Sequence, residues 1–194
     1  MRVAPRPLAQ LSWYLKPLFW LQRRRYGEVL EPALIWARSP ALFLPLSLFV
    51  GAVDRKSSPI DPALRALVMV RVSQLNHCAF CVDINAATLM KCGAPEEKVL
   101  ALHDWRRSNL FDERERTVLD YAEAMTSSER RVDDALMAKV RRHFDENATV
   151  ELTALIAFQN LSSKFNSALD VPSQGFCAIP APGMVPQAPP APGS

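Results

Sequence analysis

Residues 61–93 read DPALRALVMVRVSQLNHCAFCVDINAATLMKCG, and the fold is decided in this stretch. Asp61-Pro62 opens it. An aspartate can cap free helical N–H groups, and a proline fits the first turn, where no N–H is needed. Leu64, Leu67, Val68, Val70, Val72 and Leu75 follow. Their apolar character on most faces predicts a centrally buried helix over 62–75. Asn76-His77 interrupts it. A second helix is expected from Cys78 to about Cys92, with Gly93 as its stop and Pro95 just beyond.

The same logic runs outward in both directions. Ser39-Pro40 starts a helix over 40–53 that reads as buried, preceded by one over 28–37. Residues 8–26 are helical in pattern, broken near Pro17, and end in Arg23, Arg24 and Arg25. Downstream, Pro95–Trp105 is helical, and Asp112 with Glu115 forms a capping box for a helix over 113–126. A short helix is expected over Asp133–His143. Asn147 or Thr149 is the expected cap of a long last helix over 150–169. Its apolar side carries Leu152, Leu155, Ile156, Phe158, Leu161 and Phe165, and Asn160, Lys164 and Asn166 would bound a pocket or a subunit contact. From Pro172 onward, seven of the 16 prolines fall in 23 residues, which predicts an extended tail.

The 194 residues are 49% hydrophobic and 22% charged, ordinary globular composition. A net charge of +3 gives no reason to expect a nucleic-acid partner. The longest apolar run, Pro40–Val53, is shorter than the roughly 18–20 residues of a membrane span. No secretory signal is recognisable, so a cytoplasmic, reducing setting is expected, and the four cysteines call for a reading other than a structural disulfide framework.

Cys78-Ala79-Phe80-Cys81 is the sharpest local feature. Spacing of three at a helix start puts both sulfurs on one face within bridging reach. Free N–H groups and the helix dipole there stabilise a thiolate, the reactive form. Two inert buried thiols, or half of a zinc site, are the alternatives. A zinc site needs a second ligand pair, which Cys92, Cys177, His77, His103 and His143 do not form by spacing. Cys92 and Cys177 read as packed thiols. Asp83, two residues after Cys81, is expected to point to another face, with helix-start electrostatics as its role.

The setting RVSQLNHCAFCVD over 71–83 resembles the alkylhydroperoxidase D-like (AhpD-like) branch of the carboxymuconolactone decarboxylase family. The resemblance runs from about Ser39 to Pro172 and includes LHDWRRSNLFDERERTVL over 102–119. It implies an all-α AhpD-like helical bundle over 39–171, preceded by a helical extension over 1–38 and followed by the Pro-rich tail over 172–194. It also implies an obligate homo-oligomer with no bound cofactor; closed symmetry makes a trimer-based assembly or a dimer the expectation. Redox members reduce hydroperoxides through the motif cysteines. The resemblance assigns attack to Cys81 and resolution to Cys78, whereas dipole logic favours Cys78 as the stronger thiolate.

Two positions depart from the family pattern. Its glutamate twelve residues before the first cysteine is Ala66 here, and its histidine four residues after the second is Asn85. Asparagine can hydrogen-bond but cannot serve as a general base near neutrality. His77, adjoining Cys78, is the local candidate for a proton donor; Glu28 and Glu31 would reach the site if the extension folds over it. The expected function is a thiol-dependent antioxidant enzyme, an AhpD-like peroxidase or disulfide reductase, using a small hydroperoxide and a thiol or dithiol electron donor. An oligomeric thiol sensor or scaffold without efficient turnover is the alternative; lactone decarboxylation, which has no use for a CxxC pair, is the weaker one.

Overall fold

The computed structural model describes residues 1–179; the remainder of the expected tail, 180–194, lies outside the described residues. Nine α-helices and no strand occur among them: α1 Lys16–Tyr26, α2 Glu31–Trp36, α3 Pro40–Val53, α4 Pro62–Leu75, α5 Ala79–Lys91, α6 Glu96–Ala101, α7 Glu113–Thr126, α8 Asp134–His143 and α9 Glu146–Ala168. The fold is the expected all-α bundle.

Helix α4 is its axis. Asp61 Oδ1 accepts from Leu64 N at 2.8 Å, and nine of the fourteen residues are buried. It packs antiparallel to α5 and also against α7 and α9. Leu67, Val70, Leu119, Leu152, Leu155 and Ile156 meet in the main core. The predicted capping box closes on α7, with Asp112 and Glu115 bonding reciprocally at 2.8 and 3.0 Å.

The break expected near Pro17 is present: two 3-10 turns, Leu8–Gln10 and Trp13–Leu15, precede α1, and Pro17 falls in its first turn, where its missing N–H is among the unpaired donors. Other expectations need correction. Gly27, at φ 85°, ends α1, so the next helix is shorter than expected and begins only at Glu31. Asp145, not Asn147 or Thr149, caps α9: its Oδ1 accepts from Ala148 N at 2.7 Å, and the helix begins a turn earlier. Past α6 the chain tightens into a 3-10 turn over Leu102–Arg107, kinked at Asp104, which drives Leu102 and Trp105 into the core.

Helix α3 is the largest surprise. It carries no charged residue, yet only Phe43 is buried within the chain; Leu42, Leu48 and Phe49 are 58%, 77% and 41% exposed. The extension α1–α3 has a small core of its own around Leu15, Phe19, Ala37 and Phe43. That core takes Phe43, Val53 packs on the main core and Phe49 meets Phe158 of α9, while Leu42 and Leu48 face outward.

Candidate active site

The site is assembled where α4 hands the chain to α5. His77 adopts the left-handed conformation at φ 52°. His77 N donates to Gln74 O at 3.1 Å and Cys78 N to Ser73 O at 3.0 Å, the paired bonds of a Schellman end. This turn makes Cys78 the N-cap of α5, and its Sγ accepts from Cys81 N at 3.2 Å. Cys81 sits in the first helical turn, and the two cysteines are joined by a disulfide with Cα atoms 5.2 Å apart. Both are almost inaccessible, 1% and 2% exposed.

Three distant segments provide the cover. Ile35 from α2, Val171 beyond α9 and Phe80 bury the pair, joined by Val3, Leu30 and Phe176. The extension therefore does fold over the motif. Glu28 is exposed, while Glu31 Oε2 is buried with no hydrogen-bond partner among the described residues. The strap over 171–179 is held by Asp83, which lies 4% exposed on α5. Asp83 Oδ2 accepts from the backbone N–H groups of Gln174 and Gly175, both at 2.8 Å, and Oδ1 from Cys177 N at 2.7 Å. Gln174 ties the strap to the extension through Glu31 N at 2.8 Å and Val29 O at 3.2 Å. Asp83 thus anchors the cover, a role that helix-start electrostatics did not reveal. The signal in the sequence was a carboxylate inside an otherwise apolar turn.

A polar row lies behind the sulfurs. Asn166 Nδ2 donates to Cys81 Sγ at 3.3 Å, and its Oδ1 is buried without a partner among the described residues. Gln159 Nε2 donates to Ser73 Oγ at 2.8 Å, and Asn85 Nδ2 approaches the same oxygen at 3.5 Å. Of the predicted residues, Cys78 and Cys81 meet, Asn85 is buried on this polar side, and the His77 side chain is exposed. Cys177 packs its Sγ 3.9 Å from Met90 Sδ, but Cys92 is exposed rather than packed, because it caps the end of α5 where the chain turns outward.

Two cavities adjoin the row. The larger, about 310 Å³, lies between α1, α3 and α9 and reaches Phe80 and Asn166; its walls include Leu18, Trp36, Phe43 and Phe158. The smaller, about 110 Å³, is walled by Arg25, Tyr26, Asp54, Arg65, Ala66 and Asn85. Among the described residues no cluster of three His, Cys, Asp or Glu side chains could hold a metal ion. No described helix is long and apolar enough to cross a membrane.

A buried CxxC disulfide at the head of one helix of an all-α bundle is the setting the AhpD-like resemblance implies. Residues 28–124 match the model of the carboxymuconolactone decarboxylase family. The chain belongs to this family. It is 49% identical over 174 residues to the uncharacterized protein YnjA of Escherichia coli K12, covering 90% of this chain and 96% of YnjA. The structure is similar to the AhpD core of an uncharacterized peroxidase-related protein from Ralstonia eutropha, with TM-score 0.79, 22% identity and 96% and 97% of the two chains covered. It is also similar to the debrominase Bmp8, with TM-score 0.78, 21% identity and 90% and 92% covered. At such identities the two structures establish the shared fold. Within it, Ala66 and Asn85 face one small cavity in this chain.

Proposed function

We propose that this protein is a thiol peroxidase that reduces hydroperoxides through Cys81 and Cys78 and is recycled by an external thiol or dithiol. The observation that carries this reading is the Cys78–Cys81 disulfide at the start of α5, with Cys81 Sγ held by Asn166 beside an apolar cavity. In the reduced protein, the first-turn N–H groups and the Asn166 amide favour negative charge on Cys81. The thiolate attacks the peroxide, and Cys78, already within bonding distance, resolves the sulfenic acid to the disulfide. His77, exposed and adjoining Cys78, exchanges protons with solvent, and Asn85 contributes polarity without base strength. The test is dithiol-dependent consumption of peroxide by wild type and Cys81→Ser. Turnover in wild type and none in the variant supports the reading. Oxidation once per chain, without turnover, selects the sensor reading instead.

The uncovered face of α3 supports a homo-oligomer, trimer-based or dimeric with closed symmetry, in which a second copy covers Leu42 and Leu48. Light scattering in the micromolar range is expected to give a multiple of the 21.7 kDa chain mass; the monomer mass would refute it. The reducing cytoplasm, where a dithiol donor is available, is the compartment this chemistry suits.

A further inference from the structure

The peroxidase reading leaves a gap. An alkoxide leaves when the peroxide bond breaks, and it needs a proton; the family's glutamate and histidine positions are Ala66 and Asn85. The cavity those two residues face is also lined by the end of α1, where Tyr26 stands. Tyr26 also lines the larger cavity that reaches Phe80 and Asn166, the residue that holds Cys81 Sγ. Four residues line both cavities: Arg25, Tyr26, Val50 and Phe158. Val50 and Phe158 are apolar, and Arg25 is paired with Asp54. Among the described residues lining either cavity, Tyr26 brings the one ionisable hydroxyl. Its ring is fixed against Phe176 of the strap at 6.3 Å between centroids, and Phe176 in turn stands 6.2 Å from Phe80 of the motif. The Arg25 guanidinium lies over the same ring at 5.2 Å.

Resting on the peroxidase reading, we infer that Tyr26 is a catalytic residue, the general acid that protonates the leaving oxygen of the substrate. Burial raises the hydroxyl above its ordinary pKa of 10, against a lowering by Arg25, so it is a protonated donor at neutral pH and not a base. The Cys81 thiolate attacks the terminal oxygen of the hydroperoxide. The sulfur–oxygen bond forms, the oxygen–oxygen bond breaks, and the bonding pair leaves with the inner oxygen. That oxygen takes the Tyr26 proton to give an alcohol, and the tyrosinate recovers a proton from water. Sulfur is oxidised to a sulfenic acid as the peroxide is reduced. The Cys78 thiol then condenses with it, releasing water and closing the disulfide, which the external dithiol reduces. The proton donor thus comes from the N-terminal extension rather than from α4 or α5.

The experiment exploits leaving-group chemistry. An alkyl hydroperoxide expels a strongly basic alkoxide and needs the acid, whereas a peracid expels a carboxylate and does not. Single-turnover disulfide formation is followed in reduced full-length wild type and Tyr26→Phe, with cumene hydroperoxide and with peracetic acid. Loss of a general acid costs about 10²–10⁴-fold, so Tyr26→Phe is expected to slow the cumene reaction at least ~100-fold and leave the peracetic acid reaction unchanged. Equal slowing of both reagents would make Tyr26 merely structural and overturn the inference, as would no slowing of either. Wild type inert to both reagents would overturn the peroxidase reading itself and this inference with it. Only the hydroxyl is removed, so the ring contacts persist, and a matching thermal melt verifies that the variant is folded.

Discussion

The core around α4 and the layer over the disulfide are built on opposite principles. The core is continuous and apolar, built around α4 by α5, α7 and α9, and its helices are capped by Asp61, Asp112, Asp133 and Asp145 at four helix starts. The cover is thin and assembled from chain segments up to 173 positions apart, Val3 to Phe176. The strap within it is anchored by Asp83 and the Gln174 amide, and the N-terminal segment by Arg2, which donates to Leu169 O and Ala168 O. A strap held mainly by one carboxylate opens locally at less cost than the whole fold. On the proposed peroxidase function, exchange with an external dithiol would require this layer to open.

The largest expected effect lies in a charged knot centred on Glu123. Glu123 on α7 accepts from Arg71 Nε at 2.7 Å and Trp105 Nε1 at 2.8 Å and also pairs with Arg106, binding α4, α7 and the 3-10 turn together. Burial alone would push its carboxyl pKa up, but the bonds from Trp105, Arg106 and Arg71 outweigh burial and hold it below its ordinary value of 4.5. A depressed pKa contributes stability that is present above the unfolded value and lost as pH falls through the folded one. Glu123→Gln leaves Arg71 without its counter-charge and is expected to cost about 3 kcal/mol at pH 7. It should also flatten the decline of wild-type stability below pH 4.5. Urea unfolding across pH measures both; an unchanged acid limb would break this account.

The intermediate effect lies in the cover. Asp83→Ala deprives three backbone N–H groups of their acceptor. Bonds to a charged group are worth about 1.5–3 kcal/mol, so a global loss of that order is the upper bound if the strap stays down. If it lifts, water satisfies the freed groups and global stability changes less. The decisive readout is local: reduction of Cys78–Cys81 by a protein dithiol should accelerate at least tenfold, with hydrogen exchange rising over 171–179 and not over α4. Unaltered reduction kinetics would show that the strap does not limit access.

The same division governs what was legible in the sequence. Helices α4, α5 and α7 were readable because their signals are local: Asp61-Pro62, Gly93, and Asp112 with Glu115. The cysteine pair was readable because its spacing is its chemistry. The cover was not, since nothing local tells Asp83 that residues 174–177 will return to it, or brings Tyr26 to the cavity faced by Ala66 and Asn85. Helix α3 misled for a related reason. Its apolar composition demands burial, but one chain supplies only part of the covering surface, so it reads as core and stands exposed.

The smallest expected effect sharpens the boundary between fold and chemistry at His77. Three helix ends close with the same pair of backbone bonds: α4 at His77, α5 at Gly93 and α9 at Asp170, with φ of 52°, 95° and 53°. Glycine holds the left-handed conformation without a Cβ penalty, and the other two do not. His77→Gly removes that strain, partly offset by the larger unfolded-state freedom of glycine, for a net gain of about 0.5–1 kcal/mol. In a chain of this size such a gain raises Tm by about 2 °C. The disulfide should still form, because Cys78 N and Ser73 O keep their bond whatever side chain occupies position 77. Peroxide turnover should fall if the imidazole exchanges protons for Cys78, and His77→Asn, which tolerates the same backbone, should fall with it. Rising stability with declining turnover in both variants would mark His77 as a residue kept for its ring at the expense of its turn. A drop in Tm on His77→Gly would mean instead that the exposed ring stabilises the start of α5.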